Sequence, residues 1–217
     1  MLVTCWSAKG GVGTTVVATA LAQLAARRHG AALLVDLAGD VAPLVGVTST
    51  DPGLSDWVAV DHELPLDATA RLEQPVGTHG LSLLPTAVPP ADRPDRLAAL
   101  AAVLVADGRH VVVDAGALRP GWPGHALVRA ADNNVLVTRP CYLALRRAHD
   151  AGPRPDGVIV VREPGRVLAS SDVEEAVGAP VLAEIRQDPT VARAVDAGLL
   201  LARLPRSLAR PLQALWP

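Results

Sequence analysis

Near its start the chain reads Ser7-Ala8-Lys9-Gly10-Gly11-Val12-Gly13-Thr14-Thr15. This stretch follows an apolar run at residues 2–6 and opens a helix-favouring segment at 14–29, so we expect it to be a turn between a strand and a helix. Glycines let the backbone approach a ligand closely, and the N-terminus of a helix favours negative charge. The stretch therefore predicts a phosphate-binding loop, the alternative being an ordinary strand-to-helix turn with three glycines.

Lys9 supports the phosphate interpretation. The chain has 20 Lys and Arg residues, and Lys9 is the only lysine among them. The two side chains are not interchangeable at a phosphate site, because the lysine ammonium is a compact point charge and the guanidinium is a planar fork. A sequence that uses arginine everywhere else and lysine only inside this loop favours a site for phosphate.

Short apolar runs alternate with helix-favouring segments along the chain. The predicted strands are residues 2–6, 32–36, 81–84, 110–114, 134–138, 157–161 and 181–184. The predicted helices are residues 14–29, 93–106, 141–149, 170–177 and 189–197. This alternation predicts βαβ units, and strands that are apolar throughout are typical of a sheet covered on both faces. We expect one α/β domain over residues 1–217 with a doubly wound, mainly parallel sheet.

Composition restricts the class of protein. The net charge of -2 does not favour nucleic-acid binding, which usually requires a basic surface. Cys5, Cys141 and the six histidines lack the spacing of a disulfide framework or a metal site. The longest apolar stretch, residues 97–106, is shorter than the ~20 residues that span a bilayer, and no charged-then-apolar leader precedes Val3. We therefore expect a cytoplasmic protein.

The loop resembles the deviant Walker A motif of the MinD/ParA superfamily of P-loop ATPases. The resemblance implies ATP and Mg²⁺ as cofactors and a homodimer in which Lys9 reaches the partner's nucleotide. It also implies that the Thr15 hydroxyl ligates Mg²⁺. Thr14 stands where the family has a second lysine that holds the β- and γ-phosphates. The residues that would bind the cofactor are Gly10, Gly11, Val12, Gly13, Thr14 and Thr15.

Two further segments carry the resemblance. Residues 33–36 resemble the family's second strand with its switch aspartate, here Asp36, and residues 111–116 resemble the Walker B strand, in which Asp114 would help to hold Mg²⁺. The family's second switch aspartate, which is tied to hydrolysis, falls on Ala38, although Asp40 is close enough to substitute for it. The alternative for Asp36 and for Asp114 is a helix cap. The adenine-reading asparagine of the family falls on Val161.

These departures predict weak or absent ATP hydrolysis. Loss of the phosphate lysine alone should weaken ATP binding by roughly a hundredfold. An atypical P-loop, together with residues 39–46 and 53–56, is similar to the CpaE/TadZ branch of pilus-assembly localisers. The predicted function is that of a nucleotide-responsive dimer that positions an assembly in secretion, pilus formation or cell division and binds a protein partner of that system. The alternative is an active ParA-type ATPase that partitions a chromosome, plasmid or other cargo.

The final segment, residues 199–217, predicts a helical tail with two interpretations. It combines arginines with a terminal aromatic, Trp216, and with Leu201, Leu204, Leu208, Leu212 and Leu215. A basic amphipathic helix of this kind can lie on a membrane, which would place the protein at the inner membrane face. Alternatively the leucines pack on the domain, which Pro205 and Pro211 favour because they shorten the helix.

Overall fold

The computed structural model describes residues 1–62, 65, 67–119, 122, 124–150 and 153–216, and it contains an eight-stranded sheet. The strands are β1 (Leu2–Ser7), β2 (Ala32–Asp36), β3 (Gln74–Pro75), β4 (Leu81–Leu84), β5 (His110–Ala117), β6 (Asn133–Thr138), β7 (Gly157–Arg162) and β8 (Val181–Arg186). Their order is β3-β4-β2-β5-β1-β6-β7-β8, and every pair is parallel except β3 with β4. The predicted α/β class with a mainly parallel sheet is confirmed.

Helices cover both faces of the sheet. They are α1 (Thr14–His29), α2 (Val41–Leu44), α3 (Leu54–Ala59), α4 (Pro94–Ala106), α5 (Gly124–Ala130), α6 (Tyr142–Asp150), α7 (Ser170–Val177), α8 (Pro189–Asp196) and α9 (Arg206–Gln213). A 3₁₀ turn spans Ala70–Leu72. Helices α2, α3 and α5 and strand β3 were not among the predicted elements.

Each central strand contributes to two hydrophobic cores, one on each face. In β2, Leu34 points to the core beneath α1 and α9, whereas Leu33 and Val35 point to the core beneath α4 and α5. Because both faces are covered, every side chain of β2 is buried, and a polar residue occurs only at its end. This packing explains why the strands read as continuous apolar runs.

Strand β1 lies between β5 and β6 at the centre of the sheet. The chain first builds the sheet on one side of β1, with β2 to β5, and then on the other side, with β6 to β8. Open α/β sheets bind ligands at such a switch point, in the crevice outside the carboxyl ends of the strands. In the sheet register Asp114 of β5 lies beside both Asp36 of β2 and Cys5 of β1. The topology therefore brings the loop after β1 and the two aspartates to the same edge.

The tail packs on the domain. Helix α9 contacts α1 and β8, and Leu208, Leu212 and Trp216 are buried in the core beneath α1. The Trp216 indole N–H donates to the carbonyl oxygen of Leu21 at 3.1 Å. Packing on the sheet is thus the arrangement found for this segment, whose last residue, Pro217, lies outside the described residues. No helix in the described part of the chain is long and apolar enough to cross a membrane.

Candidate functional site

The loop between β1 and α1 has the backbone conformation that its glycines predict. Gly11 has φ 76° and Gly13, the N-cap of α1, has φ 99°. Side chains other than glycine rarely adopt such angles, so both positions require glycine to shape the turn. The loop thus leads directly into the N-terminus of a 16-residue helix, where backbone N–H groups are free to bind an anion.

A cavity of about 540 Å³ opens against the loop. Its lining includes Gly10, Gly11, Gly13, Thr14 and Thr15, five of the six residues predicted to bind the cofactor. The side chain of the sixth, Val12, is buried in the core beneath α1. Thr14 is only 7% exposed and offers a hydroxyl where a lysine would offer a charge.

Asp114 is fully buried beside Gly116, a residue that lines this cavity. Its Oδ1 accepts from the Gly116 backbone N–H at 3.1 Å, and the nearby Thr15 hydroxyl lowers its pKa. Its second oxygen, Oδ2, has no partner among the described residues. Burial raises the pKa of Asp114 to about 7, and the charge of Asp36 adds to this effect. A buried carboxylate oxygen without a partner is costly unless a cation or water satisfies it.

Asp36 is used differently, although it stands beside Asp114 in the sheet. Its Oδ1 accepts from the backbone N–H groups of Ala38 and Gly39, at 2.9 and 2.8 Å, and its Oδ2 accepts from that of Val41 at 3.0 Å. Burial raises its pKa to about 6 despite these three hydrogen bonds. The carboxylate therefore holds the loop after β2 and the start of α2, which agrees with the helix-cap alternative.

Lys9 and Asp40, which the resemblance links to catalysis together with Asp36, are both exposed. Asp40 lines the loop cavity, as does Ala38. Lys9 instead lines an adjacent cavity of about 510 Å³ together with Arg119, Arg147 and Asp150. Within the described residues Lys9 has no hydrogen bond or ion pair, as expected of a side chain that reaches outward.

Sequence reasoning missed Arg139, which follows β6 and braces the loop from outside. One terminal nitrogen of its guanidinium donates to the carbonyl oxygen of Gly11 and the other to the carboxylate of Glu163, which also pairs with Arg166 at 2.8 Å. The sequence signal for such a residue was a basic side chain at the carboxyl end of a strand next to β1. This contact fixes the loop, and Glu163, which is shared with Arg166, offsets part of the charge of Arg139.

The residues present fit a nucleotide with Mg²⁺. The glycine loop can hold phosphate through its N–H groups, and Thr15 with Asp114 offers the paired oxygens that Mg²⁺ prefers. No cluster of three or more potential metal ligands occurs in the described part of the chain, which suits Mg²⁺ because this ion keeps several waters and phosphate oxygens as ligands.

A family comparison agrees with this geometry. The model of the CobQ/CobB/MinD/ParA nucleotide-binding domain matches residues 3–201. The chain belongs to this family. No curated protein matches the chain by sequence.

Solved structures of MinD and ParA proteins share the fold. A ParA family ATPase from Chlorobium tepidum superposes with a TM-score of 0.81 at 20% identity, covering 98% of this chain and 96% of that one. MinD from Pyrococcus horikoshii in complex with Mg-ADP gives 0.79 at 20% identity, covering 99% and 93%. MinD in the MinC:MinD complex of Aquifex aeolicus gives 0.79 at 18% identity, covering 98% and 92%. At these identities the similarity establishes the fold alone.

Val161, on which the resemblance places the family's adenine-reading asparagine, is half-buried in β7, and its Cγ2 would lie 4.0 Å from a Cβ placed on Gly13. A valine side chain has no hydrogen-bonding group, so any contact that it makes with a base is apolar.

Proposed function

We propose that this member of the MinD/ParA family is a nucleotide-responsive dimer that positions or assembles a cellular structure and hydrolyses ATP slowly or not at all. The observation that carries the proposal is Thr14, which is buried in the loop and uncharged where the family has its phosphate lysine. The loop backbone, Thr15 and Asp114 remain suited to bind Mg²⁺ and nucleotide. The site therefore keeps the means of binding while lacking a group that stabilises charge in phosphoryl transfer.

Two features of the loop after β2, residues 37–40, support slow turnover. Ala38 lines the cavity without a carboxylate, and both oxygens of Asp36 are engaged by backbone N–H groups. Neither residue is arranged to orient an attacking water. The CpaE/TadZ-like role, with a protein partner and peripheral contact to the inner membrane face, fits a site that senses nucleotide without consuming it.

One observation favours the alternative of an active ParA-type partitioning ATPase. Asp40 is exposed and lines the same cavity as Thr15, so it could supply the carboxylate that Ala38 lacks. Under this alternative Asp40→Asn should abolish turnover without changing the affinity for Mg-ATP.

The deciding experiment combines calorimetric titration of Mg-ATP with steady-state turnover, each with and without DNA. We expect measurable binding, turnover far below that of a ParA control, and no stimulation by DNA. Thr15→Ala is the binding control, because removal of the Mg²⁺ hydroxyl should weaken the Mg²⁺-dependent part of the affinity. Low-micromolar binding together with turnover at the rate of the ParA control would overturn the proposal.

A further inference from the structure

The loop cavity contains one basic side chain in place of the missing lysine. Among the described residues that line it, only Arg119 is basic. Arg119 directly follows Leu118, whose backbone N–H donates to the carbonyl oxygen of Ser7 at 2.8 Å. This backbone hydrogen bond holds the segment after β5 against the start of the loop, so Arg119 lies next to the loop.

The Arg119 backbone is anchored by hydrogen bonds. Its carbonyl oxygen accepts from the Trp122 backbone N–H at 3.0 Å and lies 2.9 Å from Nε2 of His125. Its guanidinium, by contrast, has no carboxylate or hydrogen-bond partner among the described residues. An unpaired guanidinium beside a phosphate loop keeps its whole charge for an incoming anion.

Trp122 gives this side chain a preferred position. The guanidinium carbon of Arg119 lies 5.7 Å from the centre of the Trp122 ring, within the range of a cation–π contact. The ring is itself held, because its indole N–H donates to the carbonyl oxygen of Ala115 at 2.7 Å. Ala115 is the neighbour of Asp114, so the support of Arg119 is built on the strand that carries the buried carboxylate.

The other two cations near the loop are not equivalent. Arg139 is already paired with Glu163, and its other terminal nitrogen donates to the carbonyl oxygen of Gly11. Lys9 lines the adjacent cavity and not the loop cavity, whereas Arg119 lines both. Arg119 is thus the basic side chain best placed to meet phosphate bound by its own chain.

We propose that Arg119 binds the phosphates of the nucleotide and supplies, from the segment after β5, the positive charge that Thr14 does not. This inference rests on the proposed function, since it requires that the loop binds nucleotide. A guanidinium suits the task because its parallel N–H groups match two phosphate oxygens at once. The positive charge that faces the phosphates would then come from the segment that follows Asp114 and not from the first turn of α1.

Calorimetric titration of Mg-ATP into the 217-residue protein tests the inference. Arg119→Gln should weaken binding roughly tenfold to a hundredfold, the loss expected for one charge-assisted contact, and Arg119→Lys should retain part of the affinity. The matched control is Arg129→Gln, which removes an exposed arginine of α5 that does not line the loop cavity. This control should bind Mg-ATP within about twofold of the wild-type protein, and thermal melting should show all variants folded.

A double variant distinguishes phosphate binding from a structural role. If Arg119 replaces the lysine, Thr14→Lys should recover more affinity in the Arg119→Gln background than it adds to the wild-type protein, because the two cations serve the same phosphates. Unchanged Mg-ATP affinity in folded Arg119→Gln, or an equal gain from Thr14→Lys in both backgrounds, would overturn the inference and leave the proposed function standing. A wild-type protein that binds no Mg-ATP at millimolar concentration would overturn both.

Discussion

The two ends of helix α1 lie in opposite environments. At its N-terminus the site holds the unpartnered Oδ2 of Asp114, glycine backbone at positive φ, and two cations, Lys9 and Arg119, with no carboxylate partner among the described residues. Towards its C-terminus Trp216 packs edge-on against the stacked rings of His29 and His110, and its indole N–H donates to the carbonyl oxygen of Leu21 in the middle of the helix. The first, open end carries polar groups that a ligand, a cation or water could satisfy, whereas the second, closed end is covered by the protein's own tail. The tail thus adds buried surface at one end of α1, and the other end keeps polar groups without partners among the described residues.

The largest expected effect lies at the closed end. Trp216→Ala should lower the free energy of unfolding by about 3 kcal/mol, because it removes a buried aromatic side chain and its hydrogen bond. Denaturant unfolding measures the loss. The matched control is Arg210→Ala, an exposed substitution in α9 that should change stability by less than about 0.5 kcal/mol. A Trp216→Ala variant of unchanged stability that no longer binds anionic vesicles would restore the membrane interpretation of the tail.

At the open end, substitution of the buried acid should stabilise the protein. Asp114→Asn should raise the free energy of unfolding by about 1–2 kcal/mol at pH 8 without Mg²⁺, because it removes a buried charge with an unpaired oxygen. Asp36→Asn is the natural comparison and should lower stability by about 1 kcal/mol, because an amide has one acceptor oxygen where the carboxylate uses two. If both variants change stability in the same direction, the distinction between the two neighbouring aspartates is wrong.

The closed end should weaken in acid. Burial lowers the pKa of His110, and the charges of His29 and the amino terminus add to this effect. A histidine with a depressed pKa stabilises the fold above its ordinary pKa, and this contribution is lost as the pH falls through the folded-state value. Wild-type protein should therefore lose more thermal stability between pH 7 and pH 5 than His110→Gln. His149→Gln, at an exposed histidine of α6, should behave as wild type, and parallel profiles for all three would contradict the prediction.

The smallest effect on stability is expected at Lys9. Lys9→Ala should change the melting temperature little, because the side chain is exposed and has no hydrogen bond or ion pair within the described residues. It should nevertheless reduce nucleotide-promoted dimerisation if the ammonium reaches the partner's phosphates. Analytical ultracentrifugation with and without ATP measures this, and undiminished dimerisation would show that the chains pair through another surface.

The sequence predicted the sheet well, because a strand that is buried on both faces appears as a continuous apolar run. Strands β2 and β4 have the predicted bounds, since each is apolar or nearly so and ends at a polar residue or at proline. Strand β3 was missed because Gln74–Pro75 is too short to show a pattern. Helices α2 and α3, with four and six residues, were missed for the same reason.

The site was predicted in part, and the missing contacts are the long-range ones. Short motifs located Thr15 and Asp114, which come together because parallel strands end at the same edge. The contact of Arg139 with Gly11 joins residues 128 positions apart and depends on the order of the strands. The Pro/Gly cluster at residues 119–124 predicts a surface loop there, but no local pattern predicts that this loop places Arg119 against the glycine loop. Such contacts follow only from the three-dimensional fold.

The positions of the tryptophans make them useful intrinsic fluorescence probes. With no phenylalanine and one tyrosine, near-ultraviolet signals come almost entirely from four indoles. Trp6 and Trp57 are buried and supply a steady background, while Trp122 lines the loop cavity and Trp216 marks the docked tail. A Trp122→Leu variant therefore reports on the tail, and a Trp216→Leu variant reports on the loop. Emission from these two proteins can follow ligand arrival and tail release separately, without any attached dye.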